Sequence, residues 1–431
     1  MKRIIVTISL LIPALWLLHL LSEPPMPVIR AFAREGLYIT GIYAWTFMAM
    51  AVVIAARPAW LERVTKTPVD RLYLWHKNLG IAAAVFTFLH FFTKDVVGPF
   101  LAAAGFERGE KNMVDPFVAT LSVFPNGTKG FLESSGEWLT YAGLVLLVIT
   151  FIAAVKYSRW LTTHRLFSVL FLLLSPHALF LMGRGFILSP LGLFTVLVTI
   201  VGCIYSLKVL VNGAGSAKTQ SAEITEAHEE NGITLLTVRP QKPLTIRPGQ
   251  FIFLKTKGHE KHPFSVAGIN ADDTLMLTVK ALGDYTEEHV PQLTAGETVT
   301  VEGPWGQFFL HEGKSSQVWV AGGIGIAPFL TWLSFLAGKE HGPVRLVWCI
   351  RDAAKEPLYT RVKDLAEKAR VELTVAEAKN GRLDPETLFT ASVPQELAIC
   401  ATDGLSAAVR RAFIAAGGKP GAIRQEHFVW R

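Results

Sequence analysis

Several patterns are scarce in this 431-residue sequence, and each scarcity excludes a class of protein. Its only cysteines are Cys203, Cys349 and Cys400, and no Cys-x-x-Cys pair occurs, which argues against a disulfide framework and a structural zinc site. The apolar runs of the first half hold almost no acidic residues, which argues against a transporter with a charged path. After Lys218 no apolar run is long enough to cross a membrane. No EF-hand loop is present either, so we expect constitutive activity.

The first half is instead rich in apolar runs of membrane-spanning length, about 20 residues each. We predict six spans: Ile4–Leu21, Leu37–Ala56, Tyr73–Phe92, Trp138–Val155, Leu166–Met182 and Phe186–Leu210. The first run follows Lys2-Arg3 and is also compatible with a signal peptide. Because no small-residue cleavage site follows it, a retained helix is the favoured interpretation.

Basic residues orient these spans, because cytoplasmic loops carry an excess of Lys and Arg. The links after spans two and four hold Arg57, Arg63, Lys66, Arg71, Lys77, Lys156, Arg159 and Arg165. We therefore expect a multi-pass protein of the inner (plasma) membrane whose second half is cytoplasmic. Topology also explains much of the net charge of +7, so we expect no nucleic-acid partner.

The second half changes from apolar runs to short strands. After the polar linker "VNGAGSAKTQSAE", runs such as "GITLLTVRP" and "TLMLTVKALG" predict an antiparallel β-barrel. From Gln317, strands alternate with helical stretches, which predicts a parallel sheet built of βαβ units. The predicted domains are a six-span helical bundle over residues 1–212, a linker over 213–221, a barrel lobe over 222–312 and an α/β lobe over 313–431.

Four histidines lie within or beside the predicted spans. His76 and His90 are 14 residues apart, which on an ideal helix places them about 21 Å apart along the axis and within roughly 40° of one face. His164 and His177 are 13 residues apart and would differ by about 140° on an ideal helix, which conflicts with pairing unless Pro176 distorts the helix.

Polar side chains inside a membrane are costly and tend to be functional. Four imidazoles at two matching depths suggest two metal centres, since two opposed imidazoles on a haem make a six-coordinate, one-electron site. The alternative is that each histidine only bonds a neighbouring helix. We apply that alternative to His19, which has no spaced partner.

The spacings H-x13-H and H-x12-H resemble those of the NADPH oxidase and ferric reductase family. This resemblance implies that His76 and His164 hold an inner haem b and that His90 and His177 hold an outer one.

Two motifs of the barrel lobe extend the resemblance to a flavin site. His262-Pro263-Phe264-Ser265 is similar to the family's flavin motif, which implies that Phe264 lies against the flavin ring and Ser265 bonds near its reactive nitrogen. The alternative for Phe264 is a barrel core residue. In "VKALGDYTEEHV", Lys280 would meet the FAD pyrophosphate, and Thr286 would begin a helix whose N–H groups attract anions.

The α/β lobe carries the motifs of a nucleotide site. Gly323-x-Gly325-x-x-Pro328 resembles the nicotinamide-nucleotide loop of ferredoxin reductases, with proline where the dinucleotide fingerprint has glycine. In "WCIRDAAKEPL", Arg351 would hold a 2′-phosphate, which favours NADPH over NADH. Cys400 aligns only weakly with the family, because Ala-Thr follows it in place of Gly-Pro. The ending Glu426-x-Phe428 resembles the family's, which implies that the Phe428 ring lies over the flavin. The alternative is that the Trp430 ring lies there.

The resemblance implies an enzyme that moves electrons from NADPH through FAD and two haems to an external acceptor. We favour O2 giving superoxide, aided by the cations Arg34, Lys94 and Arg184, for which the alternative is solvated loop residues. A ferric-chelate reductase by the same path stays open. So does a non-enzymatic haem subunit that passes electrons to a periplasmic partner docked on the outer loop from Lys94 to Glu137, which we expect to form a partly helical cap.

Overall fold

The structure, a computed structural model, describes residues 1–22, 28–58, 60–104, 128–152, 157–182, 184–213, 219–390 and 392–426. The chain divides into two compact units. One unit is Met1–Thr67 with Arg71–Ala217, and the other is Pro68–Asp70 with Lys218–Arg431. The first is helical, and the second contains all of the described strands.

The helical unit contains nine α-helices in its described part. They are α1 (Lys2–Ser22), α2 (Val28–Ala56), α3 (Leu61–Thr65), α4 (Val69–Phe92), α5 (Gly98–Ala103), α6 (Thr128–Phe151), α7 (Tyr157–Phe180), α8 (Arg184–Ile187) and α9 (Pro190–Asn212). Within the described residues, six helices are long and apolar enough to cross a membrane, and each predicted span overlaps one of them. The chain is a multi-pass membrane protein.

Aromatic stacking, a hydrogen bond and a glycine contact join three helices of this bundle. A lipid-facing helix gains little from apolar burial, so close contact and hydrogen bonds between helices carry the association. Trp45 of α2 stacks on Phe171 of α7 with ring centroids 4.0 Å apart, and its indole N–H donates to Thr199 of α9 over 2.8 Å. A Cβ on Gly202 would lie 2.2 Å from the Phe171 ring, so glycine is what allows α9 to approach.

The helices around the predicted outer loop are longer than expected. We expected a partly helical cap from Lys94 to Glu137, and α4 continues through the π-helical turn Thr93–Val97 into α5, while α6 begins at Thr128. The described ends of this segment are helical, and residues 105–127 lie outside the described residues. Charged residues near these ends mimic a loop in a hydropathy pattern, although here they lie on continuous helix.

The second unit begins with a closed six-stranded barrel. Its strands are β1 (Thr219–Glu230), β2 (Ile233–Pro240), β3 (Phe251–Lys255), β4 (His262–Ile269), β5 (Leu275–Lys280) and β6 (Thr298–Trp305), in the order β1-β2-β5-β4-β3-β6. All neighbours are antiparallel. β1 begins inside the segment predicted as linker. Alternate apolar side chains fill the interior, as the alternation in the sequence predicts.

A five-stranded parallel sheet follows. Its strands are β7 (Gln317–Gly322), β8 (Val344–Ile350), β9 (Glu372–Glu377), β10 (Glu396–Cys400) and β11 (Ile423–Glu426), in the order β11-β10-β7-β8-β9. The helices α10 (Ala327–Leu336), α11 (Tyr359–Ala369) and α12 (Asp403–Ala415) join them. The chain runs outward from β7 to β9 and then returns to the other side of β7. The strand order thus reverses between β7 and β10, which is where such sheets bind ligands. The predicted fold class is confirmed.

Candidate functional site

The four predicted histidines form two facing pairs between α4 and α7. The Nε2 atoms of His76 and His164 lie 3.4 Å apart, with ring centroids 5.7 Å apart. The rings of His90 and His177 meet edge to face, with centroids 6.5 Å apart and planes 76° apart. The pairing therefore holds despite the 140° offset expected on an ideal helix. Pro176 lies inside α7 directly before His177, and proline removes a backbone hydrogen bond there.

Backbone carbonyls fix the tautomer of three of these rings. The Nδ1 atoms of His76, His90 and His177 each lie 2.9 Å from a carbonyl oxygen, that of Ala51, Leu37 and Leu132 respectively. A carbonyl can only accept, so each Nδ1 carries the proton and donates. The Nε2 lone pair of each neutral ring is then directed away from that bond and available to a metal, as is usual for ligating histidines.

This donor set fits haem better than a bare ion. Within the described part of the chain, no three His, Cys, Asp or Glu side chains gather as a metal site. Two imidazoles alone fill only part of a metal's coordination sphere, whereas a porphyrin supplies the four equatorial nitrogens itself. Two metal–imidazole bonds of about 2 Å need nitrogens about 4 Å apart. The separation of 3.4 Å between His76 and His164 is within a small side-chain movement of that span.

Two glycines make room for the pair formed by His90 and His177. A Cβ on Gly136 of α6 would lie 2.1 Å from Nδ1 of His177, and a Cβ on Gly41 of α2 would lie 3.0 Å from Nδ1 of His90. The first contact is impossible and the second is tight. These glycines let the neighbouring backbones approach the imidazoles and offer their carbonyls. Sequence reasoning did not single them out, since only the three-dimensional contact distinguishes them from other glycines.

Two of the three predicted acceptor-site cations are paired with carboxylates. Arg34 lies 2.7 Å from Glu35, whose other oxygen accepts from the Trp16 indole over 3.0 Å. Lys94 forms an ion pair with Glu137. The side chain of Arg184, at the first residue of α8, lies outside what the structure describes. Both acids lie within span helices and were missed, because the predicted spans began at Leu37 and Trp138.

The flavin motifs of the barrel lie against one another. His262, which begins β4, stacks on Tyr285 of the Gly-Asp-Tyr-Thr segment with centroids 3.9 Å apart and planes 8° apart. Ser265 is buried in the same strand. Phe264 is half-buried and packs against the barrel core, so part of its ring serves as a core residue. Pro263, between His262 and Phe264 in the chain, is paired in register with Phe253 of β3.

Three residues that the sequence did not flag complete this cluster. Thr256 lies 2.9 Å from the His289 imidazole and 3.3 Å from the Tyr285 hydroxyl, and His259 stacks on His289 at 3.8 Å. Burial, with a smaller effect of nearby His259, lowers the pKa of His262 to about 4. Burial also lowers the pKa of His289 and raises that of Tyr285. We expect His262 to be neutral at physiological pH.

Lys280 and Thr286 have different surroundings. The Lys280 ammonium lies close to Gly323, 3.7 Å from where a Cβ on that glycine would stand. Burial raises the pKa of Glu356, and the charge of Lys280 partly opposes this effect. Lys280 thus lies beside the nucleotide loop. Thr286 accepts from the Leu282 and Gly283 amides over 2.9 and 3.1 Å, within a helical turn that begins at Tyr285.

The predicted nucleotide loop lies at the reversal of strand order. β7 ends at Gly322, a 3-10 turn covers Gly323–Ile326, and α10 follows with Pro328 in its first turn. No side chain caps this start, so its N–H groups can meet phosphate. Gly323 has φ +52°, and its carbonyl accepts from the Trp348 indole over 2.9 Å. A Cβ on Gly325 would lie 2.0 Å from the Cys400 carbonyl oxygen.

The remaining predicted residues surround this loop. Arg351 is exposed directly after β8, on the carboxyl edge of the sheet. Cys400 ends β10 and is fully buried, and burial raises its thiol pKa well above the ordinary value, with a smaller effect from Glu426. Its thiol is therefore a packing group beside the loop. Glu426 is paired with it in register, whereas Phe428 and Trp430 lie outside the described residues.

Two family matches coincide with these two groups of residues. Residues 40–175 match the family described as ferric reductase like transmembrane component, and this range contains His76, His90 and His164. Residues 216–308, the barrel, match a family of FAD-binding domains. The chain therefore matches the NADPH oxidase and ferric reductase family. The predicted resemblance is confirmed.

Individual curated proteins and one solved structure are similar to this chain over different shares of its length. Dual oxidase 2 of Sus scrofa is 26% identical over 307 residues, 63% of this chain and 18% of that protein. The probable dihydroorotate dehydrogenase B (NAD(+)) electron transfer subunit of Methanopyrus kandleri is 38% identical over 116 residues, 27% of this chain and 43% of that protein. The structure of flavohemoglobin from Malassezia yamatoensis has a TM-score of 0.49 at 14% identity and covers 94% of this chain and 98% of that one. The chain spans less than half of each curated relative.

Proposed function

We propose that this chain is a transmembrane oxidoreductase that takes electrons from NADPH and delivers them to an acceptor across the membrane. The observation that carries the proposal is the two facing imidazole pairs on membrane-spanning helices of a chain that also contains an FAD-binding barrel. The similarity to dual oxidase 2, an oxidase by its name, supports it.

Each cofactor has residues suited to hold it. When bound, FAD takes up the two electrons of a hydride and releases them singly, and each haem b carries one electron. His76 and His164 would hold the inner haem, and His90 and His177 the outer one. With two protein imidazoles holding each haem, these sites would suit electron transfer and not the binding of a further ligand at the metal.

The α/β lobe would position the nicotinamide donor. The uncapped amides after Gly322 meet its phosphates, and the Arg351 guanidinium pairs with a 2′-phosphate at the same sheet edge. Lys280 beside Gly323 adds a cation to that anionic ligand, a position equally compatible with the predicted role at the FAD pyrophosphate. In the barrel, Phe264 would pack on the flavin ring and the Ser265 hydroxyl would bond to it.

The orientation follows from charge. The basic residues predicted to face the cytoplasm lie between the end of α2 and the first half of α4, and just before or within the first half of α7. Both nucleotide-binding lobes would therefore lie in the cytoplasm and the pair of His90 and His177 near the outer surface. NADPH is then oxidised inside the cell and the acceptor is reduced outside it. The plasma membrane of a bacterium is the proposed location.

The proposed acceptor is O2, which would be reduced to superoxide. The cations that we assigned to this step are partly neutralised, since Arg34 and Lys94 each contact a carboxylate. A neutralised cation stabilises superoxide less than a free one. This observation gives weight to the second candidate, a ferric-chelate reductase, in which the same electron path ends on a metal chelate.

A screen of acceptors on the purified, FAD-supplemented full chain tests the proposal. We expect a b-type spectrum with two haems per chain that NADPH reduces. Superoxide-dismutase-sensitive cytochrome c reduction identifies the oxidase, and ferric-chelate reduction identifies the alternative. Slow turnover with both and a stable copurifying protein would instead support a periplasmic partner. A preparation with no haem, or one that NADPH plus FAD does not reduce, refutes the function.

A further inference from the structure

One of the four ligand histidines is held differently from the others. His76, His90 and His177 donate from Nδ1 to backbone carbonyls over 2.9 Å, whereas Nδ1 of His164 faces the Thr150 hydroxyl at 3.5 Å, the outer limit of a hydrogen bond. A hydroxyl oxygen is also a weaker acceptor than an amide carbonyl. His164 therefore has the weakest support on the side opposite its metal-facing nitrogen.

The direction of this contact follows from the bonds of Thr150. Its hydroxyl donates to the Leu146 carbonyl over 2.8 Å, so the single hydroxyl proton is already used. The oxygen can then only accept from His164, which places the imidazole proton on Nδ1. His164 therefore has the same tautomer as the other three rings, and its Nε2 is directed at His76.

Trp160 completes the support of His164. Thr150 lies in the last turn of α6, where backbone carbonyls lack partners within the helix. The Trp160 indole N–H donates to the Thr150 carbonyl over 3.0 Å, and its ring stacks on His164 with centroids 4.8 Å apart and planes 8° apart. One side chain thus closes the end of α6 and fixes the plane of the imidazole.

We propose that Thr150, held by Trp160, is the positioning residue of His164 and sets the reduction potential of the inner haem apart from that of the outer one. A hydrogen bond from Nδ1 raises the basicity of the ligand, which stabilises ferric iron. The weak bond to Thr150 makes His164 the least basic of the four ligands. The haem held by His76 and His164 therefore favours the reduced state more than the haem held by His90 and His177, whose rings both donate to carbonyls. The inference rests on the proposed function.

The test replaces the hydroxyl while preserving its shape. Thr150→Val removes the acceptor, Thr150→Ser keeps it, and Thr140→Val is the matched control, because Thr140 lies on the same helix and its hydroxyl donates to Gly136. Potentiometric titration of the haem absorption gives the two midpoints, and the low-temperature EPR signals of the ferric protein report ligand basicity. Haem per chain is measured in each preparation.

We expect Thr150→Val to move one midpoint to a more positive value and change one ferric EPR signal, whereas Thr150→Ser and Thr140→Val change neither. If Thr150→Val loses one haem and Thr150→Ser retains it, the hydroxyl also holds the ligand, which agrees with the proposal. Two unchanged midpoints in Thr150→Val overturn it, as does loss of a haem in both Thr150 variants, because packing would then be the cause. Failure of the proposed function differs from both, since the unsubstituted chain would then lack haem.

Discussion

His76 and His164 direct their Nε2 atoms at one another across 3.4 Å, from two helices that are each long enough to span a membrane. When two neutral imidazoles both carry their protons on Nδ1, their facing Nε2 atoms are both acceptors. Neither ring can then donate a hydrogen bond to the other. Such an arrangement is unfavourable unless something between them uses the two lone pairs. This geometry supports the proposal that the pair is a ligand set, and the pair of His90 and His177 has a similar arrangement.

Replacing one imidazole should remove one haem. We expect His90→Ala or His177→Ala to reduce the haem content from two per chain to one, because a six-coordinate site loses half of its axial support. The pyridine haemochrome spectrum, divided by protein concentration, gives the number. His19→Ala is the control: His19 is buried in the same bundle, packs edge-on against Phe186 and belongs to neither pair. Unchanged haem in both pair variants would contradict the assignment.

The position of Gly136 offers an independent test of the outer pair. Gly136→Ala places a methyl group 2.1 Å from Nδ1 of His177, so the imidazole must move away from its carbonyl partner. We expect one haem to be lost, or its absorption band to shift, in the purified protein. Gly130→Ala is the matched control on the same helix, because a Cβ there meets nothing within 4 Å. Equal spectra for both variants would show that the close approach is unimportant.

Sequence patterns predicted most of this architecture, because hydropathy and strand alternation report burial directly. They also singled out the four histidines that lie in two pairs in the structure, since an imidazole inside an apolar run is costly. The supports of those histidines were not predictable. Backbone carbonyls such as that of Leu132 belong to any residue type, and Gly136 differs from Gly130 only in what lies opposite it in space.

Charged residues at the helix ends show the limit of hydropathy. Glu35 and Glu137 sit on helix in the structure, whereas the pattern placed them in loops. Each is accommodated there by a cation, Arg34 or Lys94, and such pairing depends on tertiary contacts that a one-dimensional pattern does not contain. In the barrel, likewise, the stack of His262 on Tyr285 joins residues from two separate motifs.

The nucleotide loop gives a prediction for NADPH binding. Gly325→Ala would bring a Cβ within 2.0 Å of the Cys400 carbonyl oxygen, which forces the loop away from β10 and displaces its amides. We expect the KM for NADPH to rise about tenfold or more, equivalent to about 1.4 kcal/mol of lost binding, with haem content unchanged. Gly404→Ala, where a Cβ meets nothing within 4 Å, should leave KM unchanged. An unaltered KM in Gly325→Ala would argue against phosphate binding at this loop.

Arg351 gives a separate prediction for cofactor choice. Arg351→Ala removes the guanidinium fork proposed to hold the 2′-phosphate, so kcat/KM for NADPH should fall about tenfold while that for NADH stays the same. Arg351→Lys should fall between the two, since an ammonium pairs with phosphate but lacks the fork. Steady-state rates with both nucleotides and one acceptor measure the ratio. Parallel losses with NADPH and NADH would mean that Arg351 supports the lobe and does not read the phosphate.

The low pKa of His262 predicts how stability depends on pH. Its folded-state pKa of about 4 lies below the ordinary value of 6.5, so between these values the unfolded chain binds a proton that the folded chain does not. The contribution of His262 to the free energy of unfolding is therefore fully present above pH 6.5 and is lost as the pH decreases towards 4. After allowance for solvent screening of this half-buried ring, the effect amounts to about 1–2 kcal/mol.

Thermal unfolding of the full chain in detergent at pH 7.5 and 5.0 measures this dependence. His262→Gln removes the titrating group, so its midpoint should fall less between the two pH values than that of the unsubstituted chain. The comparison must be made between variants, because Tyr285 stacks on this ring, the nearby His259 also lowers its pKa, and other groups titrate in the same range. His228→Gln, at an exposed position of β1, should keep the original dependence. If His262→Gln keeps it too, the imidazole is not the group that becomes protonated on unfolding.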